Sequence, residues 1–409
     1  MNTAPSRPRL TPPWAVLSQG VSSAGSLALA VAVLVAGGTT GFGNFSIAFA
    51  FYSLTLNATR AVAGSPMILK SDAEVAVRRT YAEVVVARAL SVGILSGLLL
   101  LGLLVPLGVP LEIAAAFALG MPVLMLQDTC RYVFFADLEP RTSLVLDATW
   151  TLAQLAMFAG LAAVRSTAAV AYVIAWLMGA LLSVAVAISR RRVRPAFGRA
   201  LASLSTERRV LAPLAIEMGA LGALDFVCVA CIQVTSGTYV VGQYREALLF
   251  LSPFNILLTG AILGVVPRAI VARSRGTVYT GRVLVTFLGI GAIASLAVGV
   301  TCALPVVNDS GRFQVISESW GWLIGIVLLS SALAAVFALL RVEKRLTSAM
   351  WVRVVTVPIA GVAVSVGATA AAARGALGGY TATLGLELVM VLAVGMSTLR
   401  RGWQQRSAR

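Results

Sequence analysis

Apolar residues form long runs along almost the whole chain, and short polar or basic connections separate them. A helix needs about 20 residues to cross a hydrocarbon layer of ~30 Å at ~1.5 Å rise per residue, and each run is of about this length. The pattern therefore predicts an all-α polytopic membrane protein with about 12 transmembrane helices. The predicted spans are 14–36, 43–66, 86–108, 111–130, 144–164, 168–188, 211–234, 241–266, 283–304, 319–340, 353–373 and 379–399.

Composition and charge agree with this pattern. Hydrophobic residues make up 59% of the 409 residues and charged residues only 12%, which leaves no room for a sizeable soluble domain. If the predicted spans alternate in direction, 27 of the 32 basic residues fall on the side of the N-terminal tail. Basic loops stay on the cytoplasmic side during insertion, so both termini are expected in the cytoplasm. The same placement explains the net charge of +16 better than nucleic-acid binding does.

The chain divides into two halves of similar pattern, residues 1–188 and 211–409, joined by a basic linker at 189–210. Sliding the second half by 199 residues matches Trp14–Pro66 without a gap, and Gly38-Thr39 falls on Gly237-Thr238. Each half holds six predicted spans, and both begin on the same side of the membrane. Such a parallel repeat predicts two six-helix bundles around a central site. The linker serves orientation, and a further hypothesis places it on anionic headgroups.

The second predicted span carries a polar face. Ser53, Asn57 and Arg60 follow one another at intervals of four and three residues, each close to one helical turn, so they share one side of the helix. A charge inside a span costs ~3 kcal/mol, so it needs a partner or a function. Arg60 is therefore a candidate for binding an anionic headgroup, with Asn57 and Ser53 beside it. The alternatives are an arginine that reaches the interface, or a partner of Asp225 or Glu217.

Two carboxylates lie on the seventh predicted span, and they align with serines of the first. Glu217 falls on Ser18 and Asp225 on Ser26 in the repeat. A carboxylate within the membrane can take up H⁺ or Na⁺ and couple it to a conformational change. Asp225 and Glu217 are thus candidate ion-coupling residues, unless they simply pair with Arg60.

The fourth and fifth spans hold three further charges. Asp128 and Arg131 are one helical turn apart, and Arg131 and Asp147 are each eight residues from the connection near Glu139. We therefore predict a structural ion cluster of Asp128, Arg131 and Asp147 that fixes this helical hairpin. Glu387, in the twelfth span, has no partner that the sequence reveals.

The sequence predicts no metal site and no cofactor. It contains no histidine, and Cys228-x-x-Cys231 is a single pair within an apolar span. Histidine is the commonest proton shuttle and metal ligand near neutral pH, so its absence also weighs against a membrane enzyme.

Several local motifs resemble bacterial polysaccharide-lipid flippases of the multidrug/oligosaccharidyl-lipid/polysaccharide exporter superfamily. They are Thr59-Arg60-Ala61 with Pro66, Gln127-Asp128-x-x-Arg131-Tyr132-x-Phe134-Phe135-Ala136 with Pro140-Arg141 and Asp147-x-x-Trp150, and Gly242-Gln243-Tyr244-Arg245 with Pro253, Asn255 and Val266-Pro267. The resemblance implies a protein of the bacterial cytoplasmic membrane with a cavity lined by the first, second, seventh and eighth predicted spans. It also implies flipping of an isoprenyl-diphosphate-linked glycan to the external leaflet, with Arg60 attracting the diphosphate and Glu217 or Asp225 sensing H⁺ or Na⁺.

Two other functions stay open. A cation-coupled multidrug exporter of the same superfamily would use Asp225 and Glu217 on cationic drugs. A non-transporting membrane scaffold would recruit glycan-assembly proteins through the 190–209 loop. The expected partners are a lipid-linked glycan and membrane lipids, and nucleic acid is not expected.

Overall fold

The computed structural model describes residues 13–71, 73–191, 193–274, 279–303, 314–343 and 346–407, and every regular element in these ranges is helical. The elements are α1 Pro13–Thr59, a π-helix Arg60–Gly64, α2 Ser65–Leu69, α3 Val75–Leu104, α4 Leu111–Ala136, α5 Pro140–Ala163, α6 Ala169–Arg190, α7 Phe197–Thr206, α8 Arg208–Ser236, α9 Thr238–Phe250, α10 Ser252–Ser274, α11 Thr280–Ala303, α12 Gln314–Glu318, α13 Trp320–Val342 and α14 Leu346–Ser407.

Helix α1 is a hairpin of two antiparallel arms, residues 13–37 and 39–59, that reverse at Gly38. Gln19 accepts a hydrogen bond from Arg131, and Arg60 pairs with Asp128 on the same turn of α4. A straight helix would hold Gln19 and Arg60 about 60 Å apart at ~1.5 Å per residue, so the arms must fold back. The sequence predicted two spans here, and the reversal between them takes a single residue instead of a loop.

Helix α14 folds back in the same manner, at Ala371 and Ala372. A Cβ atom added to Gly367 would lie 2.0 Å from the carbonyl oxygen of Gly375, which places the two arms in backbone contact. Among the described residues, nine helices are long and apolar enough to cross a membrane, and two of the nine are these hairpins. Because each hairpin crosses twice, the nine helices supply eleven crossings.

The eighth predicted span, 241–266, is not one helix. The chain forms α9 and α10, which meet at Leu251. Pro253 has no backbone N–H, so an unbroken helix would lose a hydrogen bond at this point. With these two helices as the remaining crossing, the described residues account for all twelve predicted spans. The linker predicted at 189–210 contains the short helix α7, and α8 already begins at Arg208.

The two halves meet through a symmetric backbone contact. A Cβ atom added to Gly43 would lie 2.2 Å from the carbonyl oxygen of Thr238, and one added to Gly242 would lie 2.1 Å from that of Thr39. Both pairs are related by the same shift, because 238 − 39 and 242 − 43 each equal 199. Such reciprocal contacts are the mark of a two-fold axis, so the predicted parallel repeat is confirmed.

The same shift relates the two reversal glycines. Gly38 has φ 63° and ψ −173°, and Gly237 has φ 83° and ψ 173°. This region of backbone space is accessible essentially to glycine alone. The repeat thus preserves a backbone conformation as well as a sequence.

Alanine at either reversal is expected to destabilise the fold. A Cβ atom at Gly38 or Gly237 would meet no atom within 4 Å, so the cost is backbone strain alone, about 1–3 kcal/mol. We expect Gly38→Ala and Gly237→Ala to lower the thermal unfolding temperature of the protein in detergent. Gly160→Ala is the matched control, because Gly160 lies in α5 and also has free space around it. Equal unfolding temperatures for all three variants would contradict the prediction.

Candidate functional site

A cavity of about 500 Å³ lies between the two halves. Both arms of α1 line it, together with α4 and α5 from the first half and α8, α9, α10, α13 and α14 from the second. Its charged lining residues are Arg60, Asp128, Arg131, Asp225 and Arg245, its serines are Ser22, Ser23, Ser26, Ser46, Ser53, Ser252 and Ser330, and its aromatic residues are Phe42, Phe45, Phe49, Tyr52, Trp150 and Tyr380. Arg60 and Asp225 therefore face one shared space.

Arg60 forms a bidentate ion pair with Asp128. Its Nε and Nη2 atoms donate to the two carboxylate oxygens at 2.9 and 2.8 Å. Asp128 is buried, whereas about 24% of the Arg60 side chain is exposed, on the cavity side. The buried carboxylate of Asp128 thus fixes the position of Arg60, while part of the arginine side chain stays accessible to a ligand in the cavity.

The ion pair extends into a network through the first half. Arg131 Nη1 donates to Asp128 at 3.1 Å, and Arg131 Nε lies 3.0 Å from Asp147. Asp147 is fully buried and accepts hydrogen bonds from Ser18 and Gln127. Two guanidinium groups and two carboxylates make the network neutral. The structure thus brings together the three members of the predicted ion cluster and adds Arg60 to them.

The pairing of Arg60 corrects one expectation. The sequence offered Asp225 or Glu217 as its structural partner; the structure pairs Arg60 with Asp128 and Asp225 with Arg245, while the side chain of Glu217 lies outside the described residues. The second arm of α1 packs on α4, so Arg60 and Asp128 lie opposite each other although 68 residues separate them. Spacing along one helix carries no information about such a contact.

Arg60 also begins the π-helix, an irregularity within the second predicted span. Pro66 has no N–H to donate to the carbonyl of Val62, four residues before it. Arg88 Nη1 donates to that carbonyl at 2.9 Å, and its other terminal nitrogen binds Ser203 and Glu207 of the linker region. Arg88 is only 2% exposed. Pro66 was the one sequence signal for this irregularity, because its missing N–H disturbs the hydrogen bonds of a regular α-helix. Turns of π-helix often mark functional sites.

Ser53 and Asn57, the other predicted ligand-binding residues of the second span, lie in different places. Ser53 lines the cavity. Asn57 donates to the carbonyl of Ser53 at 2.9 Å and lies against Gly222 of α8, where the two halves pack together. Asn57 is not among the residues that line the cavity, so its placement is that of an interface residue.

Asp225 pairs with Arg245 across α8 and α9. The Oδ1 to Nη1 distance is 2.6 Å, and both side chains line the cavity. The carboxylate is 36% exposed and the arginine 16% exposed. Arg245 belongs to the Gly242-Gln243-Tyr244-Arg245 motif, and the structure makes it the partner of Asp225. Glu217 belongs to α8, but its side chain lies outside the described residues.

Glu387 has a partner after all. Its Oε1 atom lies 3.6 Å from Nε of Arg353, on the opposite arm of α14. The two residues are 34 positions apart, and only the reversal at Ala371 brings them together. The pair links the two arms of this hairpin and does not line the central cavity.

The two cysteines of the Cys-x-x-Cys pair are free thiols in α8. Within the described part of the chain, no group of three or more histidine, cysteine, aspartate or glutamate residues is placed to hold a metal ion. The chemistry of the cavity is therefore that of charged pairs, hydroxyl groups and aromatic rings.

No protein-family model and no curated protein sequence matches this chain. Solved structures do match. An inward-facing multidrug resistance MATE family transporter of the MOP superfamily matches with a TM-score of 0.62, at 12% identity over 95% of both chains. The outward-facing form of a transporter of this kind gives 0.57 at 12% identity, over 95% of this chain and 94% of that one. A MOP superfamily transporter from Pyrococcus furiosus gives 0.57 at 13% identity, with the same coverage. The chain thus has the MATE fold over nearly its whole length.

Proposed function

We propose that the protein is an alternating-access exporter that moves an isoprenyl-diphosphate-linked glycan from the cytoplasmic to the external leaflet of the bacterial cytoplasmic membrane. The observation that carries the proposal is the shared cavity, to which each half contributes an arginine–aspartate pair: Arg60–Asp128 and Arg245–Asp225. A cavity between two repeated bundles can open to either side as the bundles rock.

The lining suits an amphipathic anionic ligand. Three arginines and two aspartates line the cavity, and the third arginine, Arg131, is balanced by the buried Asp147, so the exposed surface of Arg60 is the part of the lining that suits an anion. A guanidinium binds phosphate oxygens bidentately, and Arg60 has exposed surface to do so. Seven serines offer donors and acceptors for sugar hydroxyls, and six aromatic rings offer apolar faces.

The conformation fits the first step of such a cycle. The close backbone contacts of Gly43 and Gly242 lie beside the reversals at Gly38 and Gly237, on the side that the basic residues predict to be external. Contact of the two halves there favours a state that is closed to the outside. A substrate would then enter from the cytoplasmic side, the side towards which the π-helix and α2 continue from Arg60.

The second candidate is a multidrug exporter, which two of the matching solved structures support, since both are multidrug resistance transporters. Asp225 would then attract a cationic drug and the aromatic residues would hold its apolar part. Both functions use the same fold, so only substrate transport separates them.

We expect Arg60→Ala to reduce glycan flipping at least ten-fold, the equivalent of one charge-assisted hydrogen bond. The measurement is the exposure of lipid-linked glycan on the outer leaflet of cells that depend on this gene, normalised to protein level. Efflux of a cationic dye is measured in the same cells.

The control for a purely structural effect is Arg60→Ala/Asp128→Ala, which removes the pair together and leaves Arg131 with Asp147. A stable double variant that flips glycan normally would reject the role of Arg60. Loss of dye efflux with intact glycan flipping, above all in Asp225→Asn, would instead establish the multidrug function. Intact function in all these variants would favour a scaffold.

A further inference from the structure

A second cavity lies on the outer side of the first half, away from the central one. It measures about 170 Å³ and shares no lining residue with the central cavity. Leu126, Cys130 and Phe134 of α4 form its floor, and α3 and α6 form its walls with Leu90 and Ile188. Of the described residues that line it, Arg191 alone is charged, and the others are apolar. We call this cavity the α4 groove.

The charged end of the α4 groove carries excess positive charge. Arg191 follows the last residue of α6 and pairs with Asp137, which also accepts a hydrogen bond from Arg78 at 3.2 Å. Burial lowers the pKa of Arg191, and the neighbouring guanidinium groups of Arg79 and Arg78 lower it further. Arg191 and Arg78 thus share one carboxylate, and Arg79 is near enough to act on Arg191, so the three arginines and Asp137 together carry two excess positive charges.

The size of the groove limits what its apolar part holds. At ~30 Å³ per water-sized group, the volume corresponds to about half a dozen such groups. That is a segment of one hydrocarbon chain and not a compact drug or a folded peptide. Arg191, Val193 and Pro195 line the end of the groove that follows α6, so an occupant of the apolar part has a guanidinium group beside it.

We infer that the α4 groove binds one acyl chain of an anionic glycerophospholipid, whose phosphate lies on Arg191 with Arg78 and Arg79 nearby. The arrangement matches the chemistry of such a lipid, with an apolar slot in the spanning region and uncompensated arginines at its cytoplasmic end. The bound lipid would also contact the linker between the two halves. This site does not depend on the transported substrate.

The test uses phosphatidylglycerol with a photoactivatable diazirine in its acyl chain, added at a few per cent to phosphatidylcholine vesicles that contain the full-length protein. We expect crosslinks in the peptide that spans 126–134. Phosphatidylcholine with the same diazirine chain is expected to label this peptide about five-fold less. The variant Arg191→Gln is expected to be labelled by phosphatidylglycerol about five-fold less than the parent. One arginine near a membrane surface contributes a factor of that order. Arg191→Lys should retain most of the labelling.

Two further variants separate the site from general attraction to the surface. Arg190 is exposed on the same helix and does not line the groove, so Arg190→Gln should change labelling by less than two-fold. Cys130→Phe fills the floor and should abolish labelling of 126–134 by either lipid. Equal labelling by the two lipids, labelling that survives Cys130→Phe, or crosslinks confined to other helices would each overturn the inference.

Discussion

Alanine in place of Gly242 is expected to reduce transport by about five-fold to one hundred-fold. The added Cβ would lie 2.1 Å from the carbonyl oxygen of Thr39, and a backbone oxygen cannot turn aside as a flexible side chain would. The two halves would have to separate where they now touch. Overpacking of this kind costs about 1–3 kcal/mol, which acts on the closed state in which the contact exists. Gly43→Ala should behave alike, since its Cβ would lie 2.2 Å from Thr238.

The repeat supplies a matched control for this experiment. Gly20 and Gly219 are also 199 residues apart and lie in α1 and α8, and a Cβ atom on either would meet nothing within 4 Å. Gly20→Ala and Gly219→Ala should transport within about two-fold of the parent, because alanine is the better helix former. The measurement is substrate flipping per folded protein in reconstituted vesicles. Full activity of Gly242→Ala and Gly43→Ala would show that the halves do not need this contact.

These glycines illustrate how far the sequence alone could lead. Hydropathy predicted the spans because each must cover the same thickness of hydrocarbon, and the shift of 199 predicted the repeat. Among its few identities were Gly38 with Gly237 and Gly43 with Gly242. Gly38 and Gly237 are identical because both adopt a backbone conformation that requires glycine. Gly43 and Gly242 are identical because each lies against the backbone of the other half. Small residues recur in any membrane helix, so the sequence could not separate these glycines from the rest.

The partners of the buried charges were harder to predict. Arg131 and Asp147 are equally far along the chain from one short connection, and counting from its centre was enough to place them together. Arg60 with Asp128 and Arg353 with Glu387 depend on how helices pack and where a hairpin reverses. Neither follows from spacing within one helix. The role of Arg88 depends on a carbonyl that Pro66 cannot satisfy, and a proline alone does not reveal which side chain will reach it.

Asparagine in place of Asp128 is expected to destabilise the protein by about 3–5 kcal/mol, the usual consequence of leaving a buried charge without its partner. Asp128 is only 4% exposed and is shared by Arg60 and Arg131. Without it, Arg60 would lose its carboxylate partner, and Arg131 would keep only Asp147. Arg60→Ala/Asp128→Ala should be more stable than Asp128→Ala, because the remaining pair of Arg131 and Asp147 is neutral.

The comparison that isolates burial is Asp225→Asn. This aspartate also pairs with an arginine, Arg245, but 36% of its side chain is exposed in the cavity. Water screens such a pair, and its loss should cost no more than about 1 kcal/mol. Thermal unfolding of the purified variants in one detergent ranks them, with Asp128→Asn far below Asp225→Asn. Equal losses for the two would mean that the Asp128 network is solvated in the protein, and Arg60 would then lack the rigid support on which its role in binding an anion depends.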